Sequence, residues 1–321
     1  MTAPQNHAMK YCDVSVLVVS FNTREFTLAC LRSIYRETSG IEFEVIVFDN
    51  ASSDGSADAI AAEFPQVRLI RSRQNVGFAA ANNLCAAGAR GDYLLLLNPD
   101  TVVLDNAAHK LFEFARANPD GSVFGGRTLN ADRSLNPKSC WGRMTLWSTL
   151  CRGIGLSHLF PGDRLLDPEA LGGWNRDTVR EVDIVSGCLF MIRADLWRRL
   201  GGFDTQFFMY CEDADLCMRA KKAGSRCLIC PHAAVIHYGG VSEPVREDKV
   251  VRLFAAKARL FSKHWRPLSA MVGISLLSLY PLTRLIALWG LRWLGRSKTE
   301  SYQTWLAVWR RRGDWSGMQP C

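Results

Sequence analysis

The sequence lacks several devices that would declare its chemistry at once. Neither a Gly-x-Gly-x-x-Gly turn behind a strand nor a P-loop occurs, which excludes the two glycine cradles that seat dinucleotides and triphosphates on a helix N-terminus. Paired zinc motifs are missing too: Cys227-x-x-Cys230 has no second pair at zinc spacing and reads as two structural thiols. Eleven cysteines, odd in number and scattered, argue against a disulfide framework, and without an N-terminal signal sequence they predict a reducing cytoplasm. Long apolar runs are scarce. The uncharged stretch 268–283 has 16 residues, about 24 Å as a helix against a hydrocarbon core of about 30 Å.

What is present bounds the answer from the other side. A chain of 321 residues with 48 % hydrophobic content can bury a full α/β core and carry a smaller appendage. The expected division is a catalytic-size domain over residues 1–245 and a helical extension over 246–321. The formal charge of +8 is uneven, with Lys and Arg concentrated after Arg246 and a run Arg310-Arg311-Arg312 near the end. That asymmetry points to an anionic partner, a membrane surface before nucleic acid.

The stretch 93–101, Y-L-L-L-L-N-P-D-T, organises the rest. Four consecutive leucines between Gly91 and Pro99 are too short for a helix and lack alternation, so they predict a strand buried on both faces of a parallel sheet. Asn98 and Asp100, spaced by the rigid Pro99, then project beyond the carboxyl end of that strand, where open α/β sheets bind ligands. Alone, N-P-D would only turn the chain.

Other strands end the same way. Residues 14–19 form a buried strand running into Ser20 and Asn22; Asn22 or Thr23 can cap a helix over 24–37 whose apolar residues fall on one face. Residues 43–48 form a second strand, ending in Asp49, Asn50 and a turn full of side-chain acceptors before a helix over 56–63. A short third strand at 67–71 leads to Asn75 and Gly77; Gly77 permits close backbone approach to a bound group, and the alanine-rich helix after it offers free N–H donors. With no glycine cradle, Mg²⁺ or Mn²⁺ held by one or two carboxylates is the remaining device for phosphate, and Asp100 supplies a hard oxygen. A strand at Val103 and a helix over 107–117 follow. Residues 118–177 read as loop-rich, with Trp141, Trp147 and Trp174 either walling a cleft or filling a satellite core.

The second informative block starts at Val182. A strand over 188–192 feeds a helix from Ala194 that Gly201-Gly202 stops. Glu212, Asp213 and Asp215 then open a helix, where acids suit the dipole, and Asp215 with Arg219 makes an i,i+4 pair. That structural account leaves Glu212 and Asp213 unexplained. Aromatic neighbours would limit hydration and keep such a carboxylate basic enough to take a proton. Two strands, 226–229 and 233–236, end at His237, a candidate metal ligand in a chain with a candidate ligand Asp.

The ordered set V-S-F-N (19–22), F-D-N-A-S-S-D-G-S (48–56), N-V-G-F-A-A-A-N (75–82), L-N-P-D (97–100), S-G (186–187) and G-G-F-D-T-Q-F-F-M-Y-C-E-D-A-D-L (201–216) resembles the family 2 inverting glycosyltransferases of the GT-A fold, most closely the bacterial rhamnosyltransferase-like branch. The resemblance implies a Rossmann-like, mostly parallel sheet flanked by helices, here with a C-terminal helical, membrane-proximal extension. It implies that Asp49 recognises the base of a nucleotide diphosphate sugar, with Ser20, Asn22 and Asn50 near the nucleotide and Asn75 and Gly77 near ribose and diphosphate. Asn98 and Gly187 complete the donor side. Asp100 matches the last acid of the family's D-x-D metal motif, although Asn98 stands where many relatives have Asp, and His237 resembles a further metal ligand. Asp213 matches the general base of the E-D motif, supported by Glu212. The implied reaction moves a sugar, L-rhamnose from dTDP-rhamnose by branch, to a hydroxyl of a cell-envelope glycan or lipid-linked saccharide at the inner face of the plasma membrane. UDP-galactofuranose, UDP-glucose and UDP-N-acetylglucosamine remain alternative donors, and a non-catalytic nucleotide-sugar or glycan-binding module is the alternative of another class. A nucleotidyltransferase would carry a basic, Gly-rich N-terminal loop, and V-S-F-N-T-R is not one.

In the extension, Arg284 interrupts the apolar stretch before it resumes with Trp289, Arg292 and Trp293. A span with Arg284 in the bilayer costs about 2.5–3.5 kcal/mol. Amphipathic helices lying in the membrane interface are therefore expected, with a helical homodimer contact as the alternative.

Overall fold

The computed structural model describes residues 12–239, 246–293 and 299–317. The first half is a regular alternation: β1 (Cys12–Ser20), α1 (Arg24–Glu37), β2 (Phe43–Asp49), α2 (Ser56–Glu63), β3 (Arg68–Arg71), α3 (Phe78–Ala87) and β4 (Gly91–Leu97). Then come β5 (Thr101–Leu104), α4 (Ala107–Ala117), β6 (Gly121–Leu129), β7 (Leu135–Asn136), β8 (Cys140–Trp141), α5 (Leu146–Gly153) and α6 (Leu156–Leu159). Next are β9 (Arg180–Val182), β10 (Ile184–Val185), β11 (Leu189–Arg193), α7 (Ala194–Leu200), α8 (Glu212–Lys222) and β12 (Arg226–His237). The C-terminal helices are α9 (Arg246–His264), α10 (Pro267–Leu277), α11 (Leu279–Trp293), α12 (Thr299–Arg310) and α13 (Gly313–Ser316).

The main sheet runs β3-β2-β1-β4-β11-β6-β12-β5. Its first four strands are parallel, whereas β11 is antiparallel to both β4 and β6 and β5 is antiparallel to β12, so the sheet is mixed beyond β4. The four leucines of β4 divide between two cores, Leu94 and Leu96 toward α3, α7 and α8, and Leu95 and Leu97 toward α1 and α4. A strand buried on both faces needs that unbroken apolar run. Register aligns Ser20 with Asp49 and Val18 with Leu97, so the polar residues after β1, β2 and β4 emerge together.

Three sequence expectations need correction. The segment 118–177 is not all loop, because β6 lies inside it and sits between β11 and β12 in the sheet. Within β6, a Cβ at Gly126 would meet the Ala233 carbonyl oxygen at 2.4 Å. The glycine is there so that β12 can approach where its register shifts between Ile229 and Ala234. That shift also explains why the two strands expected at 226–229 and 233–236 are one continuous β12. Finally, Thr23 occupies the position before α1 without capping it through its side chain. Its hydroxyl pairs with Thr27 at 3.0 Å, and Asp54 from the next loop accepts the Arg24 N–H instead at 2.9 Å.

The three tryptophans do not line one cleft. Trp174 is buried with its Nε1 donating to Thr178, while Trp147 is 45 % exposed on α5. The ten cysteines among the described residues are free thiols, nine of them buried. In the extension, α10 and α11 follow each other closely, and residues 267–291 form a 25-residue helical stretch of mean hydropathy 1.6, long and apolar enough by composition to cross a membrane. It exceeds the uncharged run because Arg284 is accommodated: its guanidinium carbon lies 3.3 Å from the Tyr280 ring centroid and 5.3 Å from that of Trp305. The side chains of Arg292 and Trp293 lie outside the described residues.

Candidate active site

The carboxyl ends of β1, β2 and β4, the segment before β11, the start of α8 and the end of β12 converge on one crevice. Asn50, 3 % exposed, organises its first wall: its amide nitrogen donates to Asn75 Oδ1 at 2.9 Å, and its oxygen accepts the Val76 N–H at 2.8 Å. Asn75 Oδ1 also accepts the Gly77 N–H at 3.0 Å. Gly77 sits at φ 84°, and a Cβ there would meet the Phe208 carbonyl oxygen at 2.5 Å. That carbonyl accepts the Phe78 N–H at 2.7 Å, fastening the loop after β3 to the loop before α8.

Asp49 is buried beside this loop. Its Oδ2 accepts the Ser52 N–H at 3.1 Å, whereas its Oδ1 is buried with no protein partner. A buried acceptor without a donor is costly unless a ligand completes it. Asn22, at φ 51°, bridges the first two loops by accepting the Ser53 N–H at 2.8 Å. Ser20 does not present its side chain to the crevice: its hydroxyl turns inward to Thr27 at 3.0 Å, and its carbonyl accepts the Asn50 N–H at 2.8 Å.

After β4, Asn98, Asp100 and His237 form a polar cluster. His237 Nε2 lies 3.3 Å from Asp100 Oδ1 and 3.3 Å from Asn98 Nδ2, and the Tyr238 N–H donates to the Asp100 carbonyl at 3.1 Å. Burial opposes charge on His237, but its hydrogen bonds to Asp100 and Cys188 outweigh that and the imidazole is pushed up to about 10. Among the described residues no three His, Cys, Asp or Glu side chains form a closed metal-ligand set. An ion bound there would displace the His237 proton, and one carboxylate, the freed imidazole and one amide would then suit Mg²⁺ or Mn²⁺ with its other ligands from substrate phosphate and water.

The opposite wall carries Glu212 and Asp213, only 6 % and 8 % exposed. The chain enters α8 through Tyr210 and Cys211 at φ 71° and 64°, two successive left-handed residues that are not glycine. Such strain concentrates where surrounding structure holds a functional geometry. Asp213 Oδ2 accepts the Gly187 N–H at 2.9 Å, and its Oδ1 accepts the Ala214 N–H at 2.7 Å. Glu212 has no such support, and its Oε2 is buried without a partner. Burial, then the neighbouring Asp213, drives the Glu212 pKa far up; burial also raises Asp213, with its backbone donors pulling it back. Burial thus favours the neutral form more strongly at Glu212, while the Gly187 and Ala214 N–H groups favour the carboxylate at Asp213. Gly187 ties this wall to the metal-side cluster, since the next residue, Cys188, accepts the Asn98 N–H at 3.3 Å.

Sequence reasoning missed how α8 is anchored. Asp215, fully buried, meets not only Arg219 at 2.7 Å but also Lys263 and His264 of α9, each at 2.7 Å. Nothing in the local pattern signals that contact, because the partners stand some fifty residues apart.

Comparison with known proteins accords with this arrangement. Residues 15–167 match the family described as glycosyl transferase family 2. The N-acetylglucosaminyl-diphospho-decaprenol L-rhamnosyltransferase of Mycobacterium tuberculosis is 28 % identical over 222 residues, 60 % of this chain and 66 % of that protein, so the chain spans slightly under two thirds of its length. The low-salt glycan biosynthesis hexosyltransferase Agl10 of Haloferax volcanii is 24 % identical over 241 residues, 74 % of this chain and 69 % of that one. Among solved structures, the mannosyltransferase PcManGT of Pyrobaculum calidifontis, in complex with GDP-Man and Mn²⁺, superposes with a TM-score of 0.59 at 17 % identity, covering 96 % of this chain and 87 % of that one. The family match over residues 15–167, just under half of the chain, takes in the strands that open the crevice, and the fold is a GT-A fold, a mostly parallel sheet flanked by helices with a C-terminal helical extension.

Proposed function

We propose that the protein is an inverting transferase that moves a sugar from a nucleotide diphosphate to a hydroxyl of a cell-envelope glycan or lipid-linked saccharide at the inner face of the plasma membrane. The observation that carries this reading is the buried Glu212–Asp213 pair, tied through Gly187 to the polar ends of the parallel strands. One wall offers Asp49 Oδ1 to a base and the Asn75–Gly77 loop to ribose and diphosphate. The other offers the Asp213 carboxyl group, held by the Gly187 and Ala214 N–H groups.

Asp213 takes the proton of the acceptor hydroxyl as its oxygen bonds to the anomeric carbon, and the bond from that carbon to the diphosphate breaks on the opposite face. One displacement inverts the configuration and needs no enzyme nucleophile. Burial and the neighbouring Asp213 favour the neutral form of Glu212, which limits the negative charge beside the base. Asn98, Asp100 and His237 would hold a divalent ion against the diphosphate, where it would offset the leaving group's charge.

The donor we infer is dTDP-L-rhamnose, on the names borne by relatives, among them the 45 % identical but only 62-residue match to the rhamnosyltransferase WbbL of Escherichia coli. Thermal unfolding against dTDP-, UDP- and GDP-sugars with Mg²⁺ or Mn²⁺ tests it: dTDP-rhamnose should stabilise most. A larger shift with a UDP-sugar would replace the donor, and no shift with any would overturn the transferase reading. In Asp100→Ala and His237→Ala the metal-dependent part of that shift should disappear; if it persists in both, the ion is held elsewhere.

A further inference from the structure

Outside the crevice, a cavity of about 380 Å³ opens between α6 and β9, lined by Arg164, Asp167, Pro168, Leu171, Gly172 and Arg180. That volume suits a small ligand or a headgroup, and none of the crevice residues described above lines it. Its electrostatics are one-sided. Asp167, its acid, is already engaged, accepting the Gly162 N–H at 3.0 Å and facing Arg152 at 3.6 Å. Arg164 and Arg180 have no carboxylate within ion-pair distance among the described residues.

Behind the cavity wall sits a third guanidinium. Arg176 is 1 % exposed, and its terminal nitrogens donate to carbonyls: Nη1 to Leu171 and Trp174 at 3.0 and 2.6 Å, Nη2 to Ala170 and Pro137 at 2.8 and 3.3 Å. Its Nε is buried without a partner. The Trp174 ring lies between two of these cations, 4.8 Å from the Arg176 guanidinium carbon and 5.0 Å from that of Arg180. A buried cation with no counter-charge is expensive, so Arg176 adds its charge behind the two exposed guanidinium groups of Arg164 and Arg180, and together they favour an anion.

Exposed apolar side chains flank the lining arginines along the chain. Leu165 follows Arg164 and Val179 precedes Arg180, and these are 64 % and 55 % exposed, with Leu159 and Phe160 at 68 % and 50 % nearby in sequence. Trp147 Nε1 donates to the Leu165 carbonyl at 2.7 Å, joining this loop to α5. In turn α5 packs along α10 and α11, and Thr283 donates to the Gly153 carbonyl at 2.8 Å. Only 28 % of the most apolar window of residues 267–291 is buried, and Leu268, Met271, Ile286 and Trp289 stand exposed along it. Cationic pocket and apolar face are thus joined through α5, a pairing that matches an amphipathic anion rather than a free one.

We propose that this cavity binds the phosphate or diphosphate head of a membrane lipid, with α5, α6, α10 and α11 forming the surface that meets its acyl chains. The site adds to the transferase reading without depending on it. Membrane contact is then not a property of the C-terminal helices alone, because the 146–180 segment of the family fold contributes the headgroup pocket.

Sedimentation of the full chain with vesicles, without nucleotide sugar, tests this. The wild type should bind phosphatidylglycerol–phosphatidylcholine vesicles, and Arg164→Gln/Arg180→Gln should bind them at least tenfold more weakly, as two basic contacts to an anionic surface imply. Its thermal unfolding and its affinity for the nucleotide sugar that stabilises the wild type should be unchanged, which separates this failure from failure of the transferase reading. Arg133→Gln, which removes an exposed cation elsewhere, should bind like the wild type. Equal losses in the control and the double variant would reduce the effect to general charge and overturn the pocket, as would undiminished binding by the double variant or no binding by the wild type. Inorganic pyrophosphate should displace vesicles only at high concentration; displacement at concentrations matching the lipid phosphate would show a free-anion site and overturn the lipid assignment.

Discussion

The two walls of the crevice are built on opposite principles. On the side of β1, β2 and α3 the polar groups satisfy one another: Asn50 holds Asn75 and Val76, Asn22 holds Ser53, and Asp54 binds both Arg24 and Ser56. On the α8 side, two carboxylates are buried next to each other with few donors and enter through a strained pair of residues. A satisfied network fixes shape, whereas an unsatisfied one shifts pKa values and stores reactivity. In the proposed reaction the first wall positions and the second reacts. The single exception on the positioning wall, the orphan Oδ1 of Asp49, is where a ligand's own donor would complete it.

If that division is right, the walls must fail differently. Asp213→Asn keeps the shape of the reactive wall and removes its base, so turnover should fall by about 10²- to 10⁴-fold with donor affinity nearly intact. Near-normal turnover would mean another group takes the proton. On the positioning wall the order reverses: Asp49→Ala should weaken nucleoside diphosphate binding by about 10- to 100-fold, the scale of one hydrogen bond to a charged group. Equal calorimetric affinities for variant and parent would remove Asp49 from the site.

The anchor of the reactive wall gives a smaller, pH-dependent effect. Burial works against the Asp215 charge, but its hydrogen bonds to His264 and Lys263 and the charge of Arg219 prevail and lower its pKa to about 2 from an ordinary 3.8. A carboxylate depressed in the folded state stabilises fully above its unfolded value and loses that contribution as pH falls toward the folded value. About 2 kcal/mol should therefore be lost between roughly pH 4 and pH 2. Denaturant titrations of wild type and Asp215→Asn should show this drop only in the wild type; parallel pH profiles would contradict it. The mildest effect belongs to Glu212→Gln. A group whose neutral form burial favours should cost less than about tenfold in turnover, and a loss as large as that of Asp213→Asn would make Glu212 the base instead.

How much of this was legible before folding differed by wall. The positioning wall could be read because parallel strands buried on both faces appear as apolar runs, each ending abruptly in polar residues: L-L-L-L before Asn98, F-E-V-I-V-F before Asp49. Local hydrogen bonding then follows from neighbours in sequence. The reactive wall depends on distant segments. Its Gly187 donor, its tie to Phe208 and its anchor at His264 arise only once β11 runs antiparallel beside β4 and α9 returns to α8. The strand β6 was hidden for a related reason, since its glycines serve the close approach of β12 rather than any pattern of its own. The guanidinium of Arg176, buried without an acid, has no sequence signature.

The account's central claim is a single displacement driven by Asp213. The direct measurement is the anomeric configuration of the product, by NMR coupling across the new glycosidic bond, formed by the wild-type enzyme from the nucleotide sugar that stabilises it most. The proposed single displacement predicts the configuration opposite to the donor's, with Asp213, held by the Gly187 N–H, as base and no step through an enzyme nucleophile. A product that retains the donor's configuration would contradict it.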